Sequence, residues 1–146
     1  MKSTLSALAI VLLAGCASNM SSSGPPVQLQ ITQMNASSNV FYFPGPVPLE
    51  YAVSINNPTD VPLTLTRLDL QTIGPGAYFL RTAPTPMNLT VAPHASATYT
   101  ISVWGRSRGG YIASTEPVSL RGIAYFRGAG MKPFVRMFTE NVTPGP

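Results

Sequence analysis

The chain has 146 residues, enough for one domain and too few for two full cores. Nine Lys and Arg against five Asp and Glu leave a charge of +4, and only 10% of residues are charged, well under the usual ~25%. Polarity comes instead from 14 Ser and 14 Thr; 15 Pro and 12 Gly argue against a helix bundle, and 45% hydrophobic content argues against disorder.

The chain starts with Lys2, an apolar run over 5–14, then Gly15 and Cys16. That is the form of a secretory signal peptide. The run is about half the ~20 residues that a membrane-spanning helix needs. The segment Leu13-Ala14-Gly15-Cys16 resembles the bacterial lipobox. The resemblance implies that a signal peptidase recognises Leu13, Ala14 and Gly15 and cuts before Cys16. The Cys16 thiol then carries a diacylglyceryl group and the new amino group is acylated. One acyl chain holds a protein only marginally, whereas several hold it stably. Cys16 is the only cysteine, so no disulfide is expected, and no cofactor beyond the covalent lipid. Ala17 and Ser18 follow with no Asp, which by resemblance to enteric sorting points to the outer membrane, on its periplasmic or surface face. Residues 1–15 thus read as a leader and 16–26 as the lipidated Cys with a Ser-, Gly- and Pro-containing tether. About ten flexible residues reach roughly 17 Å on average.

From residue 27 the dominant period is two. Val27, Leu29 and Ile31 alternate with Gln28, Gln30 and Thr32. Leu49, Tyr51, Val53 and Ile55 alternate with polar or small residues, as do Ala97, Tyr99, Ile101 and Val103. Val118, Leu120, Gly122, Ala124 and Phe126 share one parity. Each set predicts a half-buried strand. Weaker candidates are 39–43 and 77–81, and 134–142 is the expected last strand. Leu63 and Leu65 change parity to Leu68 and Leu70. An extra residue near Thr66 and Arg67 would restore the face, as a β-bulge does; the alternative is a strand buried on both sides. Turns are expected at 43–46, 56–60, 74–76 and 92–94. Seven or eight such strands without a helix predict a single antiparallel β-sandwich, immunoglobulin- or fibronectin-like, over residues 27–143.

Signals for chemistry are sparse. Nucleophilic catalysis needs a base beside the nucleophile, and His94, the only histidine, falls in an expected turn. Glu50, Asp60, Asp69, Glu116 and Glu140 are scattered one per segment, without metal-ligand spacing. No enzyme activity and no metal site are expected. The stretch 104–111 joins the only Trp to Arg106, Arg108 and Tyr111 among glycines. Such residues are enriched at binding hot spots. The stretch reads either as a hairpin loop with its Trp packed on the sandwich edge, or as a loop binding an envelope protein or glycan. Nucleic acid is not an expected partner in an exported protein. Arg121, Arg127, Lys132 and Arg136 read as a solvated basic face.

Several stretches resemble the late-embryogenesis-abundant group 2 family, or WHy domain. They are Val53-Ser54-Ile55-Asn56-Asn57-Pro58-Thr59, Pro62-Leu63-Thr64-Leu65, Val91-Ala92-Pro93-His94-Ala95-Ser96-Ala97-Thr98-Tyr99 and Gly122-Ile123-Ala124-Tyr125-Phe126, with the end of the pattern at 134–138. Thr59 stands where that family usually has Asn. The resemblance implies a small sandwich without catalysis, linked to desiccation or other stress. In it Asn57 and Pro58 have a structural role at the turn.

Overall fold

The computed structural model describes residues 24–34, 44–81, 83–109 and 117–143. Among these, eight strands form two antiparallel sheets that pack face to face. They are β1 (Gln28–Gln33), β2 (Pro44–Asn57), β3 (Leu63–Ile73), β4 (Tyr78–Phe79), β5 (Ala83–Val91), β6 (Ala95–Arg108), β7 (Val118–Gly128) and β8 (Phe134–Val142). One sheet has the order β1-β2-β6-β4, the other β5-β3-β7-β8. The expected all-β sandwich is therefore the fold.

Period-two residues meet between the sheets. Leu49, Tyr51, Val53 and Ile55 from β2 face Leu63, Leu65, Leu68 and Leu70 from β3 and Leu120, Ala124 and Phe126 from β7, all buried. Phe126 stacks on Phe134 with ring centroids 5.4 Å apart. The parity change in β3 is a bulge: its register shifts between Leu65 and Arg67 against both neighbours. Against β7 the extra residue is Thr66, which gives its hydroxyl to the carbonyl of Tyr125 at 3.0 Å, whereas against β5 the extra residue is on β5; the bulge keeps all four leucines on the core side.

One expectation about prolines is corrected. The stretch 43–46 was expected to be a turn, yet Pro44, Gly45, Pro46 and Pro48 lie within β2. β1 pairs only with residues 51–56 of that strand. The carbonyl of Glu50 accepts the Met34 N–H at 2.8 Å, so even-numbered residues of β2 turn their backbone toward the β1 side. The imide nitrogens of Pro44, Pro46 and Pro48 therefore face an edge without a partner strand among the described residues, where no donor is needed. β5, with Pro84 and Pro86, is an edge strand of the second sheet for the same reason and was not anticipated. Of the weaker candidates, the one at 77–81 shrinks to β4, and that at 39–43 lies outside the described residues.

β8 carries two charged side chains, Arg136 and Glu140, that point toward β1. Glu140 accepts the backbone N–H of Ile31 at 2.8 Å. Arg136 donates to the carbonyls of Gly24 and Pro25. Arg136 thus fastens the start of the domain to β8 and is not part of a solvated face; Arg121, Arg127 and Lys132 are exposed.

Candidate binding surface around Trp104

β6 alternates cleanly to its end. Ala95, Ala97, Tyr99, Ile101 and Val103 turn inward, while Ser96, Thr98, Thr100, Ser102, Trp104 and Arg106 turn outward. The stretch around Trp104 was expected to be a loop. It is strand as far as Arg108, and Trp104 is an outward strand position with 73% of its surface exposed. The glycine that reads as loop flexibility has a packing role. A Cβ on Gly105 would come within 2.5 Å of Leu49 Cδ1 and 3.2 Å of Leu80 Cδ2, so only glycine lets the strand lie over the core there.

Trp104, Gly105 and Arg106 line a depression of about 400 Å³ with Phe79 and Arg81. Phe79 is placed there by pairing with Arg106 across β4–β6. The chain then crosses to the other sheet: Leu80 accepts the Thr72 N–H at 3.3 Å and gives its own N–H to the Thr72 hydroxyl at 3.2 Å. This crossing leaves Arg81 exposed beside Trp104. A second hollow of about 220 Å³ follows the crossing, lined by Leu70, Leu80, Arg81, Thr85, Val103 and Trp104 among others. An indole sharing one depression with two guanidiniums offers a flat apolar face and ten donor N–H groups to an anionic or stacking ligand.

The sequence reading missed Phe79 and Arg81, because nothing local ties them to Trp104; the link is the pairing of two residues with β6. It also missed that the outward parity of Thr98, Thr100 and Ser102 continues through Trp104 and Arg106. Arg108 ends β6. Tyr111 lies outside the described residues, as do Leu13, Ala14, Gly15, Cys16 and Glu116.

The remaining singled-out residues sit elsewhere. His94, in a left-handed conformation at φ 51°, places Nε2 2.7 Å from Asp60 Oδ1 on the surface. Asp69 lies on β3, 3.1 Å from Arg67, whose guanidinium stacks 3.7 Å from the Tyr125 ring centroid. Among the described residues, no three of His, Cys, Asp and Glu gather as metal ligands. Asn57 is fully buried. Its Nδ2 donates to the carbonyls of Val61, Val91 and Ala92 at 2.9, 3.1 and 3.0 Å. Its Oδ1 accepts the Thr59 N–H and hydroxyl at 3.0 and 2.7 Å.

A buried polar chain runs between β1, β2 and β4. The Tyr78 hydroxyl donates to Gln33 Oε1 at 2.7 Å and lies 2.7 Å from the Tyr51 hydroxyl, which therefore donates to it. Burial, with a smaller push from Tyr78, holds the Tyr51 phenol well above its ordinary value near 10. Burial pushes Tyr78 up to about 12, partly offset by the hydrogen bond from Tyr51. Folded values above the unfolded one mean that this stabilisation is complete below pH ~10 and is lost as pH rises through about 12. Absorbance near 295 nm is therefore expected to show two of the six tyrosines ionising only with alkaline unfolding. Six phenols titrating near pH ~10 in the folded protein would contradict this burial.

Among solved structures, the chain resembles the X-ray structure of Northeast Structural Genomics Consortium target SoR45. The TM-score is 0.53 at 10% identity, covering 80% of this chain and 84% of that one. At that identity the likeness concerns the fold alone, an all-β sandwich. No protein-family model matches the chain, and no curated protein sequence matches it.

Proposed function

We propose that this chain is a lipid-anchored envelope protein whose sandwich is a non-enzymatic binding module. Cys16 carries the anchor, and Trp104 with Arg81 and Arg106 meets a partner protein or glycan of the envelope. The observation that carries the reading is the exposure of the single Trp, 73%, in one depression with two exposed arginines. Trp and Arg are the side chains that most often dominate binding energy when a partner covers them. The tether supports the same reading. Gly24 and Pro25 are held by Arg136 at the end of the domain that carries the turns at 58–62, 92–94 and 129–133. Trp104 lies in the opposite half of β6, away from the point where the tether joins the domain.

Two experiments test the two halves. Labelling with a fatty-acid analogue is expected to mark the parent and not Cys16→Ser; equal labelling of both removes the anchor. Trp104→Ala is expected to keep the melting temperature within about 2 °C, as for an exposed site, and to lose a stoichiometric partner captured from membranes. Retention of that partner would refute the role of Trp104.

A second reading rests on the outer face of the β1-β2-β6 sheet. Gln28, Gln30, Ser54, Asn56, Ser96, Thr98 and Thr100 form a hydroxyl and amide surface with Glu140 at its border, with Ser54 and Thr98 hydroxyls 2.8 Å apart and Asn56 bonded to Gln28 and Ser96. Such a face suits weak contact with membranes or proteins during drying, the stress role implied by the late-embryogenesis-abundant resemblance. Dehydration sensitivity of a deletion strain, with no partner at Trp104, would favour it.

A further inference from the structure

An open strand edge is a template for another chain, and proteins blunt such edges with proline, charge or a covering side chain. Three edges here are blunted. β5 carries Pro84 and Pro86, and the upper part of β2 carries Pro44, Pro46 and Pro48. On β1, Glu140 occupies the Ile31 N–H. β6 differs. β4 covers only Arg106 and Ser107 before the chain crosses at Leu80. From Ala95 to Trp104 the strand has no proline and no charge, and among the described residues no strand pairs with its second edge.

The backbone direction along that edge follows from the register. Odd-numbered residues of β2 face β6, and Tyr51 lies opposite Ile101, so odd-numbered residues of β6 bond to β2. The N–H and C=O groups of Thr98, Thr100, Ser102 and Trp104 therefore point outward along the open edge. Beside them runs the hollow with Leu70, Leu80 and Val103 as its apolar lining. Leu70 and Leu80 are only 5% and 6% exposed. Arg81 and Trp104 line it too, and both continue into the adjoining depression that Arg106 lines, while Glu50 on the sheet face is on the far side of β6, opposite Ser102.

We propose that the β6 edge over 98–104 accepts an extended peptide strand with alternating apolar and acidic side chains. The proposal rests on the reading of Trp104 as a binding surface and adds the class of partner and the mode of binding. Main-chain hydrogen bonds to Thr98, Thr100, Ser102 and Trp104 supply affinity, as in other strand additions. Alternate side chains of the added strand point to opposite faces. One set is apolar and enters the hollow over Leu80 and Val103. The other is acidic and meets Arg81 and Arg106 across the Trp104 ring. A glycan would use the ring and the guanidiniums but not the edge amides, and a second copy would bring Arg106 against the same charges.

The full chain in detergent micelles, titrated with acetyl-Val-Glu-Val-Thr-Val-Glu-Val-amide, tests this directly. Trp104 is the only Trp, so its fluorescence reads the site without a label. A saturable change is expected, weakened at least about tenfold when Lys replaces Glu in the peptide, or when the peptide amides facing β6 are N-methylated. Ser102→Pro removes an edge N–H without touching the ladder to β2 and is expected to weaken binding as much. If that variant fails to fold by circular dichroism, the N-methylated peptide decides alone. No fluorescence change, or equal binding of the N-methylated peptide, overturns strand addition. A concentration-dependent dimer that buries Trp104 without peptide overturns it in favour of a second copy. Membrane capture of a partner that is lost in Trp104→Ala but kept in Ser102→Pro leaves the binding surface standing and removes only the strand.

Discussion

Asn57→Ala is expected to destabilise the domain by ~3 kcal/mol and to lower Tm by roughly 10 °C. Asn57 joins two turns, 57–62 and 92–94, at the end of the sandwich where β2, β3, β5 and β6 meet. Its amide reaches Val61 in its own turn and Val91 and Ala92 before β6. Its carbonyl fixes Thr59. Alanine leaves these groups with fewer partners in a site closed to water, and an orphaned buried polar group costs ~1–3 kcal/mol. Asn57→Asp is expected to be worse, because a carboxylate would face carbonyl oxygens in place of an amide donor. Urea denaturation of all three proteins measures the order. If Asn57→Ala unfolds at the parent's midpoint, the turns are held by something other than this side chain.

The second large effect is at Gly122, opposite Phe138 across β7–β8. A Cβ on Gly122 would fall inside the Phe138 ring. Glycine in a strand is ordinarily a weakness of ~0.5–1 kcal/mol relative to alanine, so propensity alone would make Gly122→Ala stabilising. Overpacking of ~1–3 kcal/mol opposes that gain and wins, because the ring must leave its place beside the core. A net loss of ~1–2 kcal/mol is expected for Gly122→Ala. The double variant Gly122→Ala with Phe138→Ala should restore part of the clash energy, less the ring's own burial. Thermal melts of the two singles and the double form a cycle. A more stable Gly122→Ala would show that the ring yields freely.

The core was legible because its strands alternate. Leu49 to Ile55 and Val118 to Phe126 show which face is buried, and the parity change after Leu65 marks the bulge. The edges were not legible. Pro44, Pro46, Pro84 and Pro86 break a strand when every N–H needs a partner, but an edge leaves half of them free. Whether a strand is an edge depends on the order of strands in space, which local sequence does not carry. The surface around Trp104 was half legible for the same reason. The Trp and Arg106 stand out by composition, yet Phe79 and Arg81 join them only because β4 pairs with β6 for two residues and then crosses.

The most direct test of the account keeps Trp104 and places a photo-crosslinking amino acid at residue 102, exposed on the same face of β6, in intact cells, with residue 139 on the other sheet as the control. A single discrete adduct at 102, absent at 139 and lost when Trp104 is changed to Ala or Arg81 and Arg106 to Glu, is the result the account predicts. Equal smears from both positions, or no adduct at 102, would contradict it.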